Sequence, residues 1–410
     1  MTMRSPSEID VFDTANLHNP YPMYRALRER APVHRIPGTD FYLVSSWEAV
    51  TDAVARTSEF SSHLTGVLVQ QSAGPPLTFD MDGGGQAVHV LATANANIHT
   101  LHRKLVGPAL AKRIRTLGPT VHELVARLWS EELHGNRIDW ASGMADRLPL
   151  ALVADVIGLP AADVPRLLAW AYDSTEMLGG VVPADRLPRL VASAAELAAY
   201  LHERFTEAKA AAIQPRSDTL LTVLVRACDA GELTDDVAVL ILVQLVGAGG
   251  ESTAGLIANA ARLLATTPEL QQSLRDHPTL LGAFLDEALR LESPFRSHHR
   301  HVVSDTTLAG VDLPAGAHLL LLWGAANRDP AIYPDPDEVQ LERPYGRAHL
   351  AFGKGVHFCV GSALAKLEAI AALTRLLERS TRFDLADDSP PQWVPSLFVR
   401  RHHTLPLHIH

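Results

Sequence analysis

The sequence predicts a mainly α protein with small β-sheets, folded as one large domain. Three observations carry this. Residues from about 99 to 292 read as helix almost throughout, β-like segments are short and confined to the first 60 residues and to the part after residue 293, and no repeat, low-complexity run or linker divides the chain. A chain of 410 residues is long enough to bury a large core. Residues 1–18 are expected to form an N-terminal tail and 19–410 a single domain.

The elements follow in order. "NPYPMYRALRERAPV" reads as a short helix after a proline start, and "VHRI" and "FYLVSS" as two strands joined by "PGTD". Residues 61–98 carry few charges and much glycine and alanine, and are expected to form a long, mobile loop region too apolar to be a linker. "LPRLVASAAELAAYLHERFTEAKAAA" is rich in strong helix formers. Thr234 is an N-cap candidate followed by Asp235 and Asp236, and the helix it opens should reach the "TTP" at 266–268, roughly 48 Å away at 1.5 Å per residue. "RHVVSDTTLAGVDLPAG" and "HLLLLWG" read as strands, and "CVGSALAKLEAIAALTRLLERS" as an amphipathic helix that starts at its cysteine.

Composition excludes several function classes. Net charge is -10, from 46 acidic against 36 basic residues, which disfavours a nucleic-acid binder. The N-terminus lacks the apolar core of a signal peptide or membrane anchor, and the apolar run "VAVLILVQLVGAGG" contains Gln244 and precedes Glu251, so it reads as a buried core helix. Two distant cysteines, Cys228 and Cys359, make no disulfide framework or zinc site, and a cytoplasmic setting is expected. The 20 histidines include "SHHRH" and "RHHTLPLHIH", but neither has the separated, fixed spacing of a metal site.

Cys359 lies where a glycine-rich turn runs into a helix. Free backbone N–H groups and the positive end of the helix dipole stabilise a thiolate there, and Gly353, Gly355 and Gly361 permit close backbone approach to something flat. Taken alone, such a cysteine reads first as a small buried apolar residue and second as a nucleophile with His357 nearby.

The ten residues Phe352-Gly353-Lys354-Gly355-Val356-His357-Phe358-Cys359-Val360-Gly361 match F-G-x-G-x-H-x-C-x-G, and here the chain resembles the cytochrome P-450 family. The resemblance implies that family's fold, a helix-rich triangular domain. It implies haem b as cofactor, Cys359 as thiolate ligand of its iron, His357 on a haem propionate and Phe352 shielding the sulfur. It extends in order from about residue 19 to the end. Glu287 and Arg290 match the family's Glu-x-x-Arg pair, which alone would read as a solvated i, i+3 pair; the resemblance implies that they are buried and joined by Arg343.

Ala248-Gly249-Gly250-Glu251-Ser252 resembles the family's oxygen-activating motif, with Ser252 in place of threonine. By resemblance Glu251 relays protons from solvent and the Ser252 hydroxyl donates a hydrogen bond, less fixed in rotamer for want of the methyl. Four glycines, Gly247, Gly249, Gly250 and Gly255, are costly in a helix and point either to tight helix packing or to a widened turn over a flat cofactor beside Ala248. His99 and Arg103 in "HTLHRKLV", Arg300 in "SHHRH" and His349 in "HLAFG" resemble family residues at the propionates.

These matches imply a monooxygenase that activates O2 with electrons from ferredoxin and ferredoxin reductase and hydroxylates or epoxidises a small hydrophobic molecule, in secondary metabolism. Lys354, Lys366, Lys112 and Arg113 are candidates for a basic patch facing the redox partner. The expected pocket draws on residues 61–98, roughly 170–200, Leu245, Ala248, Phe295 to Ser297 and the Leu397–Phe398 turn, with Arg296 as polar handle. Oxidative coupling, use of peroxide, or a non-catalytic haem-thiolate sensor are the alternatives. The acid–hydroxyl pair argues against the sensor, which has no need of proton delivery.

Overall fold

The computed structural model of the chain describes residues 9–211, 219–343 and 348–410. Its centre is the helix Asp235–Ala265. Thr234 caps it by accepting a hydrogen bond from the Val237 N–H at 3.3 Å, and Asp235 and Asp236 occupy its first turn. Of the described helices, this one is long and apolar enough to cross a membrane. It is instead wrapped by Arg147–Ile157, Val164–Glu176, Leu187–Ala211, Leu281–Leu291 and Ser362–Glu378, which bury Val246, Ala254, Ile257 and Ala261 from different sides. An all-round apolar helix needs such a cover.

The largest sheet has five strands in the order Val33–Arg35, Phe41–Val44, His318–Leu321, His298–Val302 and Phe60–Ser61. His318–Leu321 runs parallel to Phe41–Val44 and antiparallel to His298–Val302, with Arg300 opposite Leu319. A second sheet pairs Phe383–Leu385 with Pro406–Ile409, and the latter with Arg137–Asp139, so the C-terminus is tied into the helical body.

Several expectations need correction. The region 61–98 is not one loop: Gly66–Val69 and Leu77–Asp80 form an antiparallel hairpin, and a single 3-10 turn at Leu91–Thr93 precedes the helix Ala96–Ile114. Burial of Val67 and Leu68 drives the pairing. Within the expected tail, Val11, Phe12 and Leu17 are buried, and Asp13 caps the helix Thr14–His18. The last long helix begins at Ser362, not at Cys359, because Cys359 donates its N–H to the Phe352 carbonyl at 2.9 Å and so closes the preceding loop.

The glycine-rich part of the central helix is regular α-helix, without a widened turn. Close packing accounts for its glycines. A Cβ on Gly249 would lie 2.6 Å from Val153 Cγ2, one on Gly250 would collide with Leu150, and one on Gly255 would lie 3.0 Å from Pro294 Cβ. A π-helical turn does occur, at Ala141–Ala145 in the neighbouring layer.

Candidate active site

A cavity opens between the central helix, the strand His298–Val302 and the loop ending in Cys359. The loop is shaped by two left-handed glycines, Gly353 (φ +69°) and Gly355 (φ +71°), which a side chain would strain. Gly353 N–H donates to Leu350 O at 2.8 Å and Phe358 N–H to Gly355 O at 3.1 Å, and these turns bring Phe352, Gly353, His357, Cys359 and Gly361 to the cavity wall. Burial pushes the Cys359 thiol up, while the Gly361 N–H, the Arg103 charge and the Ser362 N–H oppose it. The surrounding dipoles and charge therefore favour an anionic sulfur as soon as a cation shares its burial.

The same cavity gathers positive and donor groups that lack anionic partners. Arg300 is buried, and its hydrogen bond at 2.7 Å goes to the neighbouring His299 carbonyl. Burial pulls it down to about 10. Arg103, one turn after His99, donates to Phe358 O at 2.9 Å. The His357 Nδ1 is buried without a partner, with its ring centroid 4.1 Å from that of His99. Among the described residues neither Arg103 nor Arg300 forms an ion pair with a carboxylate. A thiol on one wall and two unneutralised guanidinium groups with an open imidazole on another fit a flat, dianionic metal cofactor.

The family model described as "Cytochrome P450" matches residues 182–402. "Cytochrome P450 144" of Mycobacterium tuberculosis is 46% identical over 391 residues, covering 95% of this chain and 89% of that protein. The chain belongs to the cytochrome P450 family. It is also 31% identical to "Beta-dihydromenaquinone-9 omega-hydroxylase" of Mycobacterium bovis, over 96% of this chain and 77% of that one. Among solved structures, cytochrome P450 CREJ in complex with (4-ethylphenyl) dihydrogen phosphate superposes with a TM-score of 0.89 at 27% identity, covering 99% of this chain and 100% of that one. CYP109E1 from Bacillus megaterium in complex with testosterone gives 0.84 at 26% identity, over 96% and 99% of the two chains. As a cytochrome P450, the protein is a monooxygenase with haem b as its cofactor.

On the far side of the P450 cavity lie Leu245, Ala248, Ser252 and Thr253 of the central helix, with Leu91, Val156 and Phe295 around them. The Ser252 hydroxyl donates to the Ala248 carbonyl at 2.9 Å. Glu251 points away from the cavity. Its Oε1 accepts from Arg401 Nε at 2.5 Å, and Oε2 accepts from the Thr175 hydroxyl. Burial pushes this carboxyl up and Arg401 opposes the rise. Behind the cysteine loop, Glu287 accepts from Arg290 at 2.7 Å and from Arg343 at 3.2 Å, all in the interior.

Other expected site residues lie elsewhere. His349 is off the cavity wall, 3.4 Å from Asp286, a carboxylate that also accepts from Lys366, so it is not placed to meet a propionate. Arg296 is turned outward from the cavity and donates to the carbonyls of Ser396 and Leu17; it is no substrate handle. Phe398 stacks behind Phe295 at 4.5 Å instead of lining the pocket. Residues 170–200 contribute nothing to the wall, where Val153, Ile157 and Leu220 stand instead. Lys366 is taken by Asp286 and Arg113 by Asp155, which thins the expected basic patch.

Sequence reasoning missed Arg401, Thr175 and Glu368. Glu368, on the helix after the cysteine, is 1% exposed, borders the cavity and has an oxygen without a partner, and burial pushes it well up. A buried acid at a helical core position was the available signal. For Arg401 and Thr175 there was none, because their roles arise from contacts 150 and 76 residues away.

Proposed function

We propose that the chain uses Cys359 as the thiolate ligand of haem iron, with Arg103, Arg300, His357 and His99 around the propionates, to hydroxylate or epoxidise a hydrophobic small molecule with electrons from ferredoxin and its reductase. The observation that supports this best is the set of unneutralised donors sharing one cavity with Cys359. When bound, haem supplies the oxygen-activating redox chemistry.

The protein's own residues do the rest. Cys359 donates charge from a loop held by three backbone hydrogen bonds. Arg103 and Arg300 neutralise the carboxylates of the cofactor, and burial makes that pairing strong. Leu91, Val156, Leu220, Leu245 and Phe295 exclude water and select an apolar substrate. Ser252 presents its hydroxyl from the wall, and Glu251, whose carboxyl is held outward by Arg401 and Thr175, supplies a proton to the cavity when it turns inward. Exposed Val356 and Phe358 with Lys354 on the cysteine side offer a docking face for the ferredoxin.

The decisive test is the reduced, carbon monoxide-bound spectrum. Wild type is expected to show the red-shifted Soret band of thiolate ligation and Cys359→His to lose it; a normal imidazole-type spectrum in wild type refutes the assignment. Glu251→Gln should keep that band and lower product formation about a hundredfold with surrogate redox partners.

A further inference from the structure

We infer that Asp146, with Tyr172 and Arg401, forms the outer half of a two-carboxyl unit that shares one exchangeable proton with Glu251. The inference rests on the reading of Glu251 as the proton-delivering acid and extends it outward through residues that no family motif marks.

A charged hydrogen bond at the inner end, a cation–π contact in the middle and a hydrogen bond at the outer end join the two carboxyls. Arg401 pairs with Glu251 at 2.5 Å, and its guanidinium lies 4.0 Å from the centroid of the Tyr172 ring. The Tyr172 hydroxyl donates to Asp146 Oδ1 at 2.5 Å. Asp146 stands at the end of the π-helical turn Ala141–Ala145, its N–H closing the wide turn on the Ala141 carbonyl at 2.9 Å. Such turns re-aim a side chain that an α-helix would place elsewhere. Glu251 is buried, whereas Asp146 keeps partial access to solvent, so the unit has an inner and an outer end.

Charge counting then leaves a proton over. The groups facing Asp146 are Tyr172, Arg401, Glu251 and Asp139; those facing Glu251 are Arg401, Thr175, Tyr172, Asp146 and Glu176. Asp139 is occupied by the N–H groups of Ala141 and Leu405, and Glu176 is paired with Arg186 at 3.0 Å. Two carboxyls are left beside one guanidinium, and two like charges in a desolvated site do not both ionise readily. Burial first, and Glu251 in addition, raise Asp146 to about 6, against the opposing pull of Tyr172 and Arg401; Glu251 is raised as well.

Thr175 makes the inner end reversible. Its hydroxyl is within reach of Glu251, of Ala171 O at 3.3 Å and of Tyr172 O at 3.1 Å. It donates to an ionised Glu251, and it accepts from a protonated one while donating to a carbonyl. When Glu251 gives up its proton the repulsion raises the proton affinity of Asp146, which takes one proton from bulk water and returns it when Glu251 is reprotonated from water. The unit thus holds one proton throughout, and neither residue changes oxidation state.

Infrared titration of the resting protein tests this without turnover. Wild type should show a protonated-carboxyl C=O band that titrates with a midpoint near pH 6, above a constant contribution from Glu368. Asp146→Asn should remove it, Glu251→Gln should move it to lower pH by relieving repulsion, and Tyr172→Phe should move it to higher pH by withdrawing a hydrogen bond from the carboxylate. The pH profile of product formed per electron should follow, with the alkaline limb in Asp146→Asn shifted down by about one pH unit. If Asp146→Asn does not fold, the opposite shifts in the other two variants carry the test. No titrating band, a band indifferent to Asp146→Asn, or same-direction shifts in Glu251→Gln and Tyr172→Phe overturn the shared proton. An unchanged pH profile alongside the expected infrared shifts overturns the relay and leaves the carboxyl coupling standing. Loss of activity in Glu251→Gln is independent of all these spectra.

Discussion

Arg290 Nε lies 2.7 Å from Glu287 Oε1, with side chains 0% and 1% exposed. A second guanidinium hydrogen goes to Glu287 Oε2 at 2.9 Å, and the other three go to the carbonyls of Asn327, Pro336 and Glu338 at 3.2, 2.6 and 2.8 Å. The pair thus anchors the irregular segment that leads to the cysteine loop. Breaking it strands a buried guanidinium, and Glu287→Gln is expected to lower stability by about 3–5 kcal/mol. Urea unfolding measures the loss, and the yield of haem-loaded protein should fall with it.

Gly250 packs against Leu150, whose side chain fills the space that a Cβ would need. Alanine there gains about 1 kcal/mol in helix propensity but overpacks a full core at about 1–3 kcal/mol. Gly250→Ala should therefore be net destabilising. Gly282, exposed near the start of the helix Leu281–Leu291 with nothing within 4 Å, should respond oppositely, gaining up to about 1 kcal/mol as alanine. Thermal unfolding of the two variants checks both signs.

Acid should weaken the protein in two stages. Burial, the largest cause, lowers His298, His299 and His402 from 6.5 to about 3. Between those values the unfolded chain binds more protons, so stability falls as pH drops from about 6.5. Glu292 behaves in the opposite sense: burial raises it, but Arg400, Arg262 and Arg328 outweigh burial and hold it at about 2, against 4.5 when unfolded. Its contribution is complete above 4.5 and drains away toward 2. Urea midpoints measured against pH should decline from 6.5 and steepen below 4.5. His299→Asn should reduce the slope from about 6.5 down to about 3 and leave intact the steepening that Glu292 adds below 4.5.

Arg300 has lost water without gaining a counter-ion from the protein. With Arg300 on the haem carboxylates as proposed, removing it should weaken their hold by about 1.5–3 kcal/mol, roughly ten- to a hundredfold faster haem loss. Transfer of haem from Arg300→Ala to an excess acceptor protein measures this rate, and Arg300→Lys should recover part of the difference.

Local rules were enough to read much of this chain. Thr234 and the two aspartates announce the central helix, and a short apolar run after the turn residues Pro37 to Asp40 announces the strand Phe41–Val44, because each depends on neighbours within a turn or two. The role of the Cys359 loop came instead from its resemblance to the P450 motif. Tertiary structure decided what needed a partner from far away. Arg290 looked solvated on its helical wheel, yet among the described residues it is the most deeply buried charge, and its five donors all find acceptors, three of them carbonyls of a later segment. Arg296, His349 and Phe398 carried plausible roles until packing turned them toward Leu17, Asp286 and Phe295. The glycines of the central helix announced a close approach, but only the fold named Leu150 and Val153 as what approaches. A sequence records which groups need company; the three-dimensional path of the chain determines which company they keep, because burial and pairing are set by distance in space.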